Sequence, residues 1–203
     1  NYISLIKKIS KCFKAGKHLQ VLEAGDAFVK SYGHNLTICS LLGLSNVEIK
    51  NYSSAIKFFK IIYNKKPLDK ENAYFLGKAS IGIKNFVQAE FYLNKALELD
   101  KTNFVFAFTL AEVLRINEKY HRSLDVFSEI INSDPNCWSA HFEIGKIFYL
   151  LGKPQDAISK YNTVLINNPN HALSYFEKAK CQRTLSKDIK QREKALSTII
   201  KGL

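Results

Sequence analysis

The chain has 203 residues, 46% of them hydrophobic and 24% charged, with a formal net charge of +12. That balance suits a folded globular chain and excludes a disordered polar one. No apolar run approaches the ~18 residues of a membrane-spanning helix, and no secretory signal pattern opens the sequence. The chain begins at Asn1 and contains no Met, so it is expected to be a fragment or a processed chain.

In chain order, one unit is copied at a spacing of 34 residues. Residues 2–35 are the faintest early copy, marked by Ile9, Gly16, Leu22 and Phe28. Lys7, Lys11 and Lys14 share a face of its first helix and read as a solvated terminal face. Residues 36–69 carry Leu42, Gly43, Tyr52, Ala55, Phe59, Ile62 and Pro67. Residues 70–103 carry Leu76, Gly77, Ala89, Leu93 and Ala96. Residues 104–137 carry Leu110, Ala111, Leu114, Ser123, Phe127, Ile130 and Pro135. The unit is clearest over residues 138–171. There Ile144, Phe148 and Leu151 give a first helix one apolar face. Gly152-Lys153-Pro154 ends that helix and starts another, with Pro154 in the first turn, where its missing N–H costs little. Ala157, Ile158, Tyr161, Val164 and Leu165 form the second stripe, and Asn168-Pro169-Asn170 stops it. Residues 172–203 are a degenerate copy. Lys178 and Gln182 stand where Ile144 and Phe148 stood, which predicts a solvating cap built as a last helix pair.

Neither helix of such a unit can bury its stripe alone, so each needs copies on either side. Gly43, Gly77, Ala111 and Gly145 are expected where the second helix packs too close for a large side chain. Ala55, Ala89, Ser123 and Ala157 are their counterparts on that helix. Phe59, Leu93, Phe127 and Tyr161 are expected to fill the gap toward the next repeat.

A 34-residue period with large-Gly, Ala, Phe/Tyr and Pro at these offsets resembles the tetratricopeptide repeat, over essentially the whole chain. The resemblance implies an all-α fold: one right-handed superhelical solenoid of antiparallel helix pairs, about five to six repeats long, spanning residues 1–203. It implies a concave groove lined by the second, fifth, ninth and twelfth positions of each first helix. The fifth positions are Ser40, Tyr74, Phe108, Phe142 and Phe176. The ninth are Leu44, Lys78, Glu112, Lys146 and Lys180. The twelfth are Val47, Ile81, Arg115, Tyr149 and Arg183. The expected site is an aromatic ladder flanked by cations: Tyr74, Lys78, Phe108, Glu112, Arg115, Phe142, Lys146, Tyr149, Phe176, Lys180 and Arg183; the alternative, of equal weight, is that the ring edges only pad the contact between neighbouring repeats. Such a groove implies a protein-interaction scaffold that takes an extended peptide or helix with apolar and acidic side chains. The chaperone-binding clamp of some family members fails here, because Leu44 and Phe75 replace its asparagines. The asparagine ladder of the nuclear glycosyltransferase is missing too, with Leu41, Phe75, Thr109, Glu143 and Glu177 at the sixth positions. An alternative rests on KAGK near Gly16 and the LLGLSNVEIKNYSSAIKFF stretch. These resemble the substrate-recruiting arm of bacterial repeat-containing sulfotransferases and glycosyltransferases, whose catalytic domain would lie outside this chain.

The remaining motifs point away from chemistry. Cys12, Cys39, Cys137 and Cys181 have neither CxxC pairing nor a His at metal-ligand spacing, and read as buried free thiols of a reducing, cytoplasmic compartment. His18, His34, His121, His141 and His171 are scattered; His141 reads as repeat core and His171 as a loop residue. No Gly-rich phosphate loop occurs. No metal, cofactor or catalytic residue is therefore expected. Residues 1–69 carry eleven Lys/Arg against four Asp/Glu, residues 70–137 eight against nine, and residues 138–203 eleven against five. Basic ends split by a neutral middle do not make the continuous stripe that nucleic acid wants. Asn35-Leu36-Thr37 and Asn51-Tyr52-Ser53 match the glycosylation acceptor, and read as chance matches in a chain without a secretory signal.

Overall fold

Asparagine and aspartate side chains set where most of the early helices begin. Asn35 Oδ1 accepts the Thr37 and Ile38 backbone N–H groups at 2.9 and 3.2 Å. Asn51 accepts from Ser54 N at 3.4 Å, Asp69 from Asn72 N at 2.9 Å, Asn85 from Gln88 N at 3.0 Å and Asn103 from Phe106 N at 3.2 Å. Each satisfies a donor that the helix itself leaves unpaired. So the two Asn-x-Ser/Thr matches are helix caps at the repeat spacing, which is what those asparagines do here. Lys119, Cys137 and Lys153 hold the equivalent places later in the chain and make no side-chain cap.

The computed structural model describes residues 2–201. These form α1 (Tyr2–Lys14), α2 (His18–Tyr32), α3 (Leu36–Glu48), α4 (Tyr52–Lys65), α5 (Lys70–Gly82), α6 (Phe86–Leu99), α7 (Phe104–Ile116), α8 (Tyr120–Ser133), α9 (Trp138–Leu150), α10 (Pro154–Asn167) and α11 (Ala172–Lys201), with no strand among the described residues. First helices start 34 residues apart, and so do second helices. The turn inside each pair places one residue in the left-handed region, also every 34 residues: Gly16, Lys50, Lys84, Glu118 and Gly152, with φ of 68°, 62°, 59°, 59° and 70°. Only glycine accepts that conformation without steric cost. Lys84→Gly is therefore expected to stabilise the protein by about 0.5–1 kcal/mol, read as a higher urea midpoint, and Lys84→Val to lower it. A midpoint that falls in the glycine variant would show the turn is not strained.

The chain divides into two compact units, the first running to Asn117 and the second from Glu118. In the first, α1 to α7 stack in sequence. Ile9, Val21, Phe28, Ile38 and Leu42 form the core under α1–α3. Cys39, Ala55, Phe59, Ile62, Leu76, Ala79 and Tyr92 tie α3–α6 together, and Ala73, Ala96 and Phe106 join α5, α6 and α7. In the second, α8 packs on α9, α9 pairs with α10, and α10 packs on α11. Ala157, Ile158, Tyr161 and Cys181 form its core, with Phe142, Phe148 and Tyr149 half-buried against it.

Two expectations change. Phe59, Leu93 and Tyr161 lie first over the glycine of their own pair. A Cβ on Gly43, Gly77 or Gly145 would stand 2.5, 2.6 or 2.6 Å from them. The nearest neighbour of Gly145 is thus Tyr161, one turn beyond Ala157. The segment from Ala172 is one continuous helix through Lys201 and not a helix pair. Lys178, Gln182 and Gln191 stand where Ile144, Phe148 and Ala157 stand one repeat earlier. Residues 202 and 203 of that expected cap lie outside the described residues.

Candidate functional site

The fifth, ninth and twelfth positions of a first helix lie within one turn of each other along its face, so each unit can be read separately. In the first unit, Tyr74 is half-buried on α5. Its ring stacks on Phe106 of α7 with centroids 4.8 Å apart and planes at 27°. Lys78, exposed and one turn on, holds its Nζ 5.7 Å from the Tyr74 centroid. Phe108 is half-buried on α7, 5.7 Å from the Phe104 ring, and Glu112 and Arg115 are half-buried further along the helix.

In the second unit, Phe142 is half-buried between Tyr161, at 5.7 Å, and the edge of His171, at 4.9 Å. Lys146 lies over it, Nζ 5.4 Å from the centroid. Lys180 of α11 reaches across to α9 and sits 4.4 Å over the Tyr149 ring. Phe176 is 66% exposed, and Arg183 is also exposed. The structure therefore brings together Lys78 with Tyr74, Lys146 with Phe142, and Lys180 with Tyr149, each in cation–π geometry.

The cations flanking the rings are not all available for an acidic ligand. Lys146 is bonded to Glu143 at 2.8 Å and Lys180 to Glu177 at 3.4 Å. Both pairs are i,i+3 on one helix, a spacing visible in the sequence. The second unit also buries the Tyr161 phenol, whose hydroxyl has no protein partner. Burial pushes that phenol well above its ordinary range, and the Glu177 carboxylate pushes it the same way.

Three of the histidines make contacts within the fold. His141 is buried and its Nε2–H donates to the Pro135 carbonyl at 3.1 Å; His171 Nδ1 is hydrogen-bonded to Ser174 Oγ at 2.7 Å; His18 Nδ1 is 3.3 Å from Ser45 Oγ. Cys39, Cys137 and Cys181 are buried free thiols, whereas Cys12 is only half-buried. Burial raises the thiol pKa of Cys39 and Cys181. Among the described residues no group of three or more His, Cys, Asp or Glu could hold a metal ion, and no helix is long and apolar enough to cross a membrane.

Residues 71–103 match the tetratricopeptide repeat family. No curated protein matches the chain. Among solved structures the chain is similar to YrrB, described as a TPR protein with an unusual peptide-binding site, at 18% identity and a TM-score of 0.80, covering 88% of this chain and 92% of that one. It is similar to MamA at 20% identity and a TM-score of 0.73, covering 81% and 96%. A second MamA structure (MSR-1) gives 17% identity and a TM-score of 0.75, covering 84% and 98%. The chain carries a tetratricopeptide repeat at residues 71–103, and its fold is that of tetratricopeptide repeat proteins.

Proposed function

We propose that the chain is a peptide-binding scaffold that uses the first-helix faces of both units. The observation that carries this reading is the recurrence of an aromatic ring under a lysine one turn away, in Tyr74–Lys78 and again in Phe142–Lys146. Rings left half-buried in this way offer apolar area at low entropic cost, and a nearby cation orients an acidic partner. YrrB, which shares the fold, is described as having a peptide-binding site. On the first unit the apolar side chains of a ligand meet Tyr74 and Phe108, and on the second unit they meet Phe142 and Phe176. Its acidic side chains meet Lys78, with Glu112, Arg115, Tyr149 and Arg183 completing the faces. Lys146 and Lys180 act mainly by holding Phe142 and Tyr149, since their charges are already matched.

The test is a peptide selected on the full-length chain from a displayed random library, with affinities measured by titration calorimetry. Phe108→Ala and Phe142→Ala are each expected to weaken it by about 1–3 kcal/mol. Lys78→Glu is expected to weaken it more at low salt than at high salt. Unchanged affinity in both ring variants would remove the ladder from the binding surface.

A further inference from the structure

We infer that the hollow between α2, α3 and α4 is a binding site for a small zwitterion, an α-amino acid with an apolar side chain. The inference goes beyond the peptide-binding reading and uses none of its ladder residues. Two cavities of about 330 Å³ flank α3. The one toward α5 is lined by Ser40, Phe59, Asn72 and Phe75, and its buried acceptor, Asn72 Oδ1, is closed off from solvent. The other is lined by Asp26, Asn46, Asn51, Ser54 and Lys57, with Leu22 and Phe58 as its apolar part. Here Asn46 is 3% exposed, and its Nδ2 donates to the Leu42 carbonyl at 2.8 Å, which fixes the orientation of the amide. Its Oδ1 takes no bond from the protein, yet it is not closed off as that of Asn72 is. A residue this buried has little other surface, so the Oδ1 opens on the hollow that Asn46 lines. Comparison of the protein with itself shows why the space is left. One repeat later, Ser80 and Gln88 replace Asn46 and Ser54. Gln88 Oε1 reaches across from α6 to lie 3.3 Å from Ser80 Oγ, which is also 2.7 Å from the Leu76 carbonyl. Ser54 is too short to reach Asn46 in the same way, and the two make no bond.

The polar groups of the hollow are sorted by element, and that sorting selects the ligand. Acceptors come from α2 and α3: the Asp26 carboxylate and Asn46 Oδ1. Donors come from α4 and the turn before it: the Lys57 ammonium and Asn51 Nδ2, the Asn51 Oδ1 being already bonded to the Ser54 N–H at 3.4 Å. Asp26 and Lys57 share the hollow without forming an ion pair. Opposite charges held apart fit a ligand that carries both signs. Its ammonium donates to Asp26 and Asn46 Oδ1, and its carboxylate accepts from Lys57 and Asn51. An amine or a carboxylate alone would meet one half of the site and leave the other charge unmatched. Leu22 and Phe58, both half-buried, give an apolar side chain its contact. The volume is that of a small-molecule site.

The experiment titrates the ¹⁵N-labelled full chain with L-leucine, L-leucinamide and N-acetyl-L-leucine. L-leucine should shift the amide signals of Asn46, Ser54 and Phe58. It should bind at least ~5-fold tighter than leucinamide, which lacks the carboxylate, and than N-acetyl-leucine, which lacks the ammonium, because each leaves polar groups of the site unpaired. Asp26→Asn and Lys57→Gln should each weaken L-leucine by a similar factor, whereas Lys187→Gln, on the exposed part of α11, should not. Asn46→Ser combined with Ser54→Gln copies the Ser80–Gln88 pair and should abolish the shifts. Ser54→Gln alone serves as the blocking variant if the double one does not fold. The inference is overturned by absence of shifts at these residues, by equal affinity for leucinamide or N-acetyl-leucine, by unchanged binding in both charge variants, or by binding that survives in a folded blocking variant. Phe108→Ala and Phe142→Ala should leave L-leucine binding unchanged, so the hollow and the peptide ladder stand or fall separately.

Discussion

Phe59→Ala is expected to destabilise the protein by about 3–5 kcal/mol, the usual range for truncating a buried ring. The residue is 1% exposed. It closes its own helix pair by covering Gly43, where an added Cβ would be 2.5 Å from Cε1. It also joins that pair to the next by stacking on Phe75 at 5.6 Å. One side chain therefore holds two interfaces, and neither can collapse to fill the space: Gly43 has no side chain to offer, and the far side of Phe59 already borders the open α3–α5 cavity. Urea unfolding measures the loss. Phe91→Ala provides the contrast, since Phe91 is 53% exposed and its truncation should stay within about 0.5 kcal/mol. A loss for Phe59→Ala no larger than that for Phe91→Ala would mean that Phe59 does not carry the junction.

Gly145→Leu is expected to cost on the order of 3 kcal/mol, through overpacking rather than a cavity. A Cβ alone would lie 2.6 Å from Tyr161 Cε1 and 2.9 Å from Cζ. Tyr161 cannot swing aside, because it is fully buried against Ala157 and Cys181, with Phe142 half-buried beside it. The helices α9 and α10 must then part. If this contact is the cause, removing the ring should give back part of the loss: Gly145→Leu combined with Tyr161→Ala should be less destabilised than the sum of the two single variants. Thermal melts of the three variants decide it, and a parent-like melt for Gly145→Leu would sink the assigned register of the pair.

The neighbours on the first-helix faces were legible in part. The fifth-position rings and ninth-position lysines follow from the repeat count, and the cation–π pairs Tyr74–Lys78 and Phe142–Lys146 join them at i,i+4. The ion pairs of Lys146 and Lys180 follow from Glu143-x-x-Lys146 and Glu177-x-x-Lys180, both i,i+3 on one helix. The caps are equally local: Asn35 and Asn51 match a glycosylation pattern, and their Oδ1 atoms bond the helix starts beside them.

The sequence by itself determined the first ten helices, their 34-residue spacing and the glycines where helices pack closely. Those features are set by turn residues and apolar stripes within a few residues of one another, and such patterns repeat with the chain. Only the tertiary structure decided that Phe59 and Tyr161 cover the glycine of their own pair, because side-chain direction across a helix pair depends on packing distance. It decided that Ala172–Lys201 is one helix. It also decided that the α3–α5 junction is open: Ser40 and Asn72 are 32 residues apart in the chain, and the space they fail to fill exists only when their helices stand side by side.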